Sequence, residues 1–362
     1  MSKLYTWGYN YYGQLGDGTT TNKHTPTKIG TSDWSAIAGG NEHSLGISGG
    51  KLYAWGYNYF CQLGDGTDVN KKTPTQIGTS DWTAIAGGFL HSLGISGGKL
   101  YAWGYNDYGQ LGNGTTNSEI TPTKIGNSDW TAIASGDRHS LGISGGKLYA
   151  WGKNTNGQLG DGTTTSRKTP TQIGTSDWTA IASRGDHSLG ISGGKLYAWG
   201  KNTNGQLGDG TTTDKNTPTQ IGTSDWTAIA SGYNHSLGIS GGKLYAWGYN
   251  NYGQLGDGTT TERHTPTQIG TSDWSSIAAG AYHSLGISGG KLYAWGSNGN
   301  GRLGDGTTTN RNTPTKIGNS DWSSIAGGYY HSLGIVITTP TVTTQSADQI
   351  TITSIRGNGN IT

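Results

Sequence analysis

Histidine beside serine is the pairing from which a hydrolase builds a nucleophile and its base. This chain holds seven such pairs: His43-Ser44, His91-Ser92, His139-Ser140, His187-Ser188, His235-Ser236, His283-Ser284 and His331-Ser332. Catalysis needs one asymmetric constellation of nucleophile, base and orienting group within reach of each other. Sevenfold repetition at a strand start points instead to a structural histidine that bonds loop backbone. Imidazoles spread around a rim cannot converge to the ~2 Å that a zinc ion requires. The single cysteine, Cys61, excludes a thiolate cluster and an intramolecular disulfide. No catalytic residue, metal or cofactor is expected.

Shorter matches carry less. Gly299-Asn300-Gly301-Arg302-Leu303-Gly304 has the glycine spacing of a dinucleotide-binding turn, but Asp305-Gly306-Thr307-Thr308-Thr309 behind it cannot open the helix such a turn needs. Asp-Gly-Thr, at Asp17, Asp65 and Asp257, lacks the spaced carboxylates of a calcium loop and spells a turn. Arg184-Gly185-Asp186 matches a tripeptide that integrins recognise and stands where a top loop could display it, but three-residue matches are common and no site is assigned to it. Asn113-Gly114-Thr115 is a glycosylation sequon, meaningful in a eukaryotic secretory pathway.

The elements that position these residues follow from a strict period. A 48-residue unit starts at Lys3, Lys51, Lys99, Lys147, Lys195, Lys243 and Lys291 without insertion or deletion, and the seven copies fill residues 3 to 338 of 362. Glycine accounts for 66 residues and charged residues for 13%, against ~7% and ~25% in an average chain. Each unit offers three short, partly apolar runs punctuated by glycine, such as Trp82–Ala86, His91–Ile95 and Lys99–Trp103. A fourth run, Thr121-Pro122-Thr123-Lys124-Ile125, holds a proline that confines it to a sheet edge. Four strands per 48 residues, seven times over, predict an all-β, seven-bladed β-propeller with four-stranded blades.

The motifs also carry a family likeness. Gly-x-Asn-x-x-Gly-Gln-Leu-Gly-x-Gly, as at Gly104 to Gly114, and Gly-x-x-His-Ser before an apolar strand resemble the repeats of the regulator of chromosome condensation family. The resemblance implies a seven-bladed propeller and covers all seven units. That family includes a nucleotide-exchange factor for a small GTPase that also binds chromatin, and an inhibitor of β-lactamases, but neither role transfers residue by residue. Plant ultraviolet receptors resemble the family too; their sensing tryptophans fall in the pair before the histidine, which never contains tryptophan here, so photoreception is not expected. The fourteen tryptophans occupy two fixed slots, Trp7 and Trp34 in the first unit, suited to packing between blades.

Turns set the faces. Ser96-Gly97-Gly98-Lys99 is a two-residue hairpin signal at one end of a blade. At the other end, the top, the Gly-x-x-His loop meets the start of the Gly-x-Asn-x-x-Gly segment. The small-residue strand Trp-Thr-Ala-Ile-Ala-Gly is expected innermost, where seven strands converge. The last unit replaces the hairpin Ser-Gly-Gly with Val336-Ile337-Thr338, so its partner is expected to be Lys3–Trp7, with residues 3 to about 30 completing the blade begun by residues 320 to 336.

Differences among the seven copies gather on the top: in the pair before each histidine, in the Gly-x-Asn-x-x-Gly loop and in the Thr-rich stretch before Thr-Pro. Loops carry recognition while strands hold them, and these positions hold tyrosine and phenylalanine. The closing blade gathers Tyr329, Tyr330, Tyr9, Tyr11 and Tyr12; the next two carry Tyr57, Tyr59 and Phe60, then Phe89, Tyr105 and Tyr108. Farther round, Lys153, Thr155, Asn156, Lys201, Thr203 and Asn204 make the rim polar. An aromatic arc is the composition of a protein-binding surface, so the expected ligand is a protein, with a glycan second.

A net charge of +2 without a basic run gives no footprint for nucleic acid, and no stretch approaches the ~20 apolar residues that insert into a membrane. Residues 339–362 leave the repeat and alternate Thr or Ser with Val or Ile, like the first strands of a truncated fibronectin- or immunoglobulin-like module. An extracellular or cell-surface bacterial protein is favoured. The alternative to a binding platform is a structural spacer or self-associating module; the sequence sets no oligomeric state.

Overall fold

The computed structural model describes residues 1–338; the strand pattern expected for residues 339–362 lies outside them. Seven four-stranded antiparallel sheets form a ring, a seven-bladed β-propeller with no helix among the described residues. Blade II shows the plan, with Ala36–Gly39, His43–Ser48, Lys51–Gly56 and Lys71–Asp81 hydrogen-bonded in that order. Blades III to VII repeat it, beginning with strands Ala84–Gly87, Ala132–Ser135, Ala180–Ser183, Ala228–Ser231 and Ser276–Ala279.

Each step of the plan has a local cause. Gly49 and Gly50 take φ of +56° and +77°, the double positive φ of a tight hairpin turn. The short first strands meet one another around the axis, and a Cβ at Gly39 would stand 2.6 Å from the Gly328 nitrogen. Small residues are therefore obligatory there. The fourth strand is the exposed edge, as Pro74 requires. It is longer than its Thr-Pro core, because a shift of register lets it pair from Gly56↔Lys71 to Lys51↔Asp81.

The core lies between blades. Leu4, Ile29, Leu333 and Ile335 of blade I pack with Trp34 and Trp55 at the start of blade II and within it. The two indoles stand edge to face at 5.7 Å, and Trp55 Nε1 donates to the Gln14 carbonyl of blade I at 2.9 Å. Both tryptophan slots thus join blades.

Blade I closes the ring. Its strands run in the order Lys23–Asp33, Ser2–Gly8, His331–Ile337, Trp322–Gly327, with Ser2 opposite Ile337 and Gly8 opposite His331. The N-terminus supplies the two outer strands and the last unit the two inner ones.

Candidate functional site

The top loops stand on a buried asparagine. Asn10 Nδ2 donates to Asp17 Oδ1 at 3.1 Å and to the Thr21 carbonyl at 3.1 Å, while its Oδ1 accepts from the Leu15 amide at 2.9 Å. Asp17 also accepts from the Thr19 amide and hydroxyl and pairs with Lys23 at 3.3 Å. Burial opposes its ionised form, but hydrogen bonds from Thr19, Asn10 and Lys23 outweigh burial and hold its carboxyl below the usual range. The Gly-x-Asn motif and the Asp-Gly-Thr turn are one loop frame.

Beneath the loops runs a ring of latches. His43 Nε2 meets Ser92 Oγ of the next blade at 3.0 Å, and the same contact recurs from His91 to Ser140, His139 to Ser188, His187 to Ser236, His235 to Ser284 and His283 to Ser332. His331 and Ser44 close it at 2.8 Å. Each serine gives its one proton to a backbone carbonyl, as Ser44 does to Gln14 at 2.9 Å, so each imidazole must donate through Nε2. The expectation of a bond to loop backbone is corrected: the histidine binds the neighbouring blade's serine. All fourteen side chains are inaccessible to solvent, and burial pushes the imidazoles down, to about 3 for His43 and about 4 for His139. No nucleophile is left free among them.

A second correction concerns Arg184. The other six copies hold glycine here, as at Gly40, Gly136 and Gly328. Instead of being displayed, the Arg184 guanidinium turns into the axis and donates to the carbonyls of Gly327 at 2.8 Å and Gly40 at 3.2 Å, across the ring. Its loop is rebuilt: elsewhere the glycine amide bonds the histidine carbonyl, as Gly40 does with His43, whereas here Ser183 Oγ donates to His187 O. Asp186 is bound by Lys153 at 3.1 Å and by Gln158 at 3.0 Å. Arg184 lines a cavity at the axis with Asn41, Phe89, Asp137 and Tyr329. Burial and the neighbouring Asp186 push the Asp137 carboxyl up to about 7, against the pull of Arg184.

Above the latches each junction between blades carries three equivalent top positions. Between blades IV and V they are Lys153, Asn156 and Asp186, with Lys153 and Asp186 forming an ion pair at 3.1 Å. Between III and IV they are Tyr105, Tyr108 and Arg138, whose guanidinium lies 5.1 Å from the Tyr108 ring centre and donates to its hydroxyl at 3.0 Å. Between VI and VII they are Tyr249, Tyr252 and Tyr282, all in mutual ring contact. Between I and II they are Tyr9, Tyr12 and Glu42.

The structure joins most of the expected arc into one chain of rings. Tyr330 meets Tyr9 at 6.0 Å, Tyr9 stacks on Tyr11 at 6.4 Å, Tyr11 meets Tyr12 at 4.9 Å, and Tyr12 meets Tyr57 at 4.6 Å. Tyr57 contacts Tyr59 and Phe60, and Phe60 contacts Tyr105. Tyr11 and Tyr59 are 65% and 67% exposed. Tyr108 stands apart, occupied by Arg138. Phe89 turns toward the axis against Tyr329. Sequence reasoning missed Tyr233, Tyr249, Tyr252 and Tyr282, which reach Tyr329 from blades VI and VII. They occupy the same repeat positions as the expected residues and were legible by the same comparison, once carried past the polar sector.

A ring of seven four-stranded sheets, latched by histidine and closed by its own N-terminal strands, defines a β-propeller with a constant frame and a varied top. The chain belongs to the RCC1-like domain family: that domain matches residues 129–342, and the regulator of chromosome condensation (RCC1) repeat matches residues 2–47, 49–95 and 97–143. Human WBSCR16 is similar over 93% of this chain and 99% of its own, at 23% identity and a TM-score of 0.86. Prp20p from Saccharomyces cerevisiae is similar over 94% of this chain and 92% of its own, at 22% identity and a TM-score of 0.85. At these identities the likeness is one of fold. No curated protein matches significantly in sequence.

Proposed function

We propose that this chain is a non-catalytic binding propeller whose top-face aromatic loops receive a protein ligand, with a glycan as the second choice. The observation that carries the reading is the contrast between a sevenfold constant frame and a continuous tyrosine network over five adjacent blades. Tyrosine gives large contact area at low entropic cost, and its hydroxyl stays satisfied in water until a partner arrives. Two related observations support a protein ligand: Prp20p is described with binding to Gsp1p and histones, and yeast RCC1 has been solved bound to Kap60. Nucleic acid fits poorly with a net charge of +2 and no basic run. The serine hydroxyls that a hydrolase would use are committed to carbonyls.

The test is capture from a surface-protein library and a glycan array by the parent and by a Tyr11→Ala, Tyr59→Ala, Tyr330→Ala variant of unchanged circular dichroism. A ligand held by the parent and lost by the variant supports the reading. Equal capture by both overturns the aromatic face as the site of recognition, and capture by neither leaves the spacer as the better account.

A further inference from the structure

Glu42 differs from Asp186 at the equivalent position and from the aspartates of the Asp-Gly-Thr turns. The aspartates of the Asp-Gly-Thr turns each meet a lysine or arginine, as Asp65 meets Lys71 and Asp305 meets Arg311. Asp186, at the position equivalent to Glu42, is bound by Lys153 and Gln158. Glu42 is half-buried, and among the described residues nothing donates a hydrogen bond to its carboxylate and no lysine or arginine pairs with it. Even Gln14 Nε2, the counterpart of Gln158 Nε2, has no partner. One backbone bond is kept at both junctions: the Glu42 carbonyl accepts from the Tyr57 amide at 2.8 Å, as the Asp186 carbonyl does from Lys201 at 2.9 Å.

Rings surround it. Tyr9 and Tyr12 share its junction, Tyr57 follows on the next loop in contact with Tyr12, and Tyr330 flanks Tyr9. The charge of Glu42 is felt by all four phenols. Two sites in the same molecule show that such walls hold a cation: Arg138 lies over Tyr108, and Arg302 lies 4.7 Å from the Tyr330 ring centre.

Building on the binding reading above, we infer that the junction of Glu42 with Tyr9, Tyr12, Tyr57 and Tyr330 receives a lysine or arginine side chain of the protein ligand. The carboxylate supplies the charge and the rings supply faces for the alkyl stem and cationic head. Burial without a counterion pushes the Glu42 carboxyl up to about 6, and an arriving cation relieves that cost.

The test is selection of a random peptide library on the immobilised parent, followed by calorimetry of the winning peptides. They are expected to share a lysine or arginine. Its replacement by norleucine or citrulline, or a Glu42→Gln substitution in the propeller, should weaken binding about tenfold or more, the scale of one desolvated cation contact. The melting temperature of Glu42→Gln should stay within about 2 °C of the parent. Peptides that bind parent and Glu42→Gln equally overturn the assignment. If those peptides are still lost on a Tyr11→Ala, Tyr59→Ala variant, which leaves the four walls intact, the aromatic-face reading survives alone. Selection of no peptide overturns both.

Discussion

At the junction of blades IV and V the chain answers its own charge, with Lys153 on Asp186 at 3.1 Å and Gln158 completing the carboxylate. At the junction of blades I and II the equivalent positions hold Tyr9, Tyr12 and Glu42, and among the described residues the carboxylate has no partner. The frame beneath is the same: His139 latches to Ser188 at 2.9 Å, and His331 to Ser44 at 2.8 Å. Although Arg184 rebuilds the blade V loop beside Asp186, the difference at the three top positions lies in their side chains. A saturated junction contributes stability and offers a partner little; an unsaturated one leaves its chemistry free for recognition.

The comparison presupposes the shared frame, and acid is the strongest way to break it. The latch histidines are buried and neutral, with folded pKa values depressed to about 3 for His43, His91, His187, His235 and His331 and about 4 for His139. A depressed histidine pKa means that the unfolded chain binds the proton first, so their contribution is intact above about pH 6.5 and falls as pH drops toward the folded values. Each histidine removes roughly 1.4 kcal/mol per pH unit once the unfolded form is protonated. Glu42 and Asp137, whose raised values act in the opposite direction, number two against seven. Acid unfolding followed by circular dichroism should have its midpoint between about pH 4 and 6. A midpoint below pH 4 would place the burden on the carboxylates instead.

The next effect separates the two junctions. Lys153→Met leaves Asp186 partly buried without its cation and should cost about 1–3 kcal/mol in urea unfolding. Glu42→Gln removes an unpartnered charge and should cost nothing or stabilise slightly. Equal costs would erase the distinction. Cys61 offers a smaller change: at φ +60° it is the one non-glycine residue with positive φ among the described residues, in a slot where Gly13 and Gly109 stand. Cys61→Gly should stabilise by about 0.5–1 kcal/mol in the same assay; a loss would show that the side chain packs favourably. The finest effect is a titration. Arg184 pulls the Asp137 carboxyl down against burial, so Arg184→Gln should move its midpoint, followed by carboxyl carbon resonance, above about 7. A fall would mean that Arg184 does not act on it through charge.

The period fixed the fold, because 48 residues with glycine turns and an edge proline admit one arrangement, down to Ser2–Gly8 pairing with His331–Ile337. The arc was legible because tyrosines at loop tips break the usual polarity of such positions. Two features were not. The histidines bond a serine 49 residues away, or across the ring closure from His331 to Ser44, and only the stacking of blades creates that distance. Arg184 departs from glycine in a place that looked like an exposed loop; its direction, into the axis, depends on carbonyls of Gly327 and Gly40 on the opposite side. Glu42 lay in plain view, and its meaning came only from seeing that among the described residues no lysine or arginine pairs with it.

The most direct test grafts one junction onto the other. A Tyr9→Lys, Tyr12→Asn, Glu42→Asp variant reproduces Lys153, Asn156 and Asp186 between blades I and II and should fold with unchanged circular dichroism and equal or greater stability. Against any ligand captured by the parent, binding should fall at least tenfold. Undiminished binding by the folded graft would contradict the claim that recognition resides in the unsaturated aromatic junction.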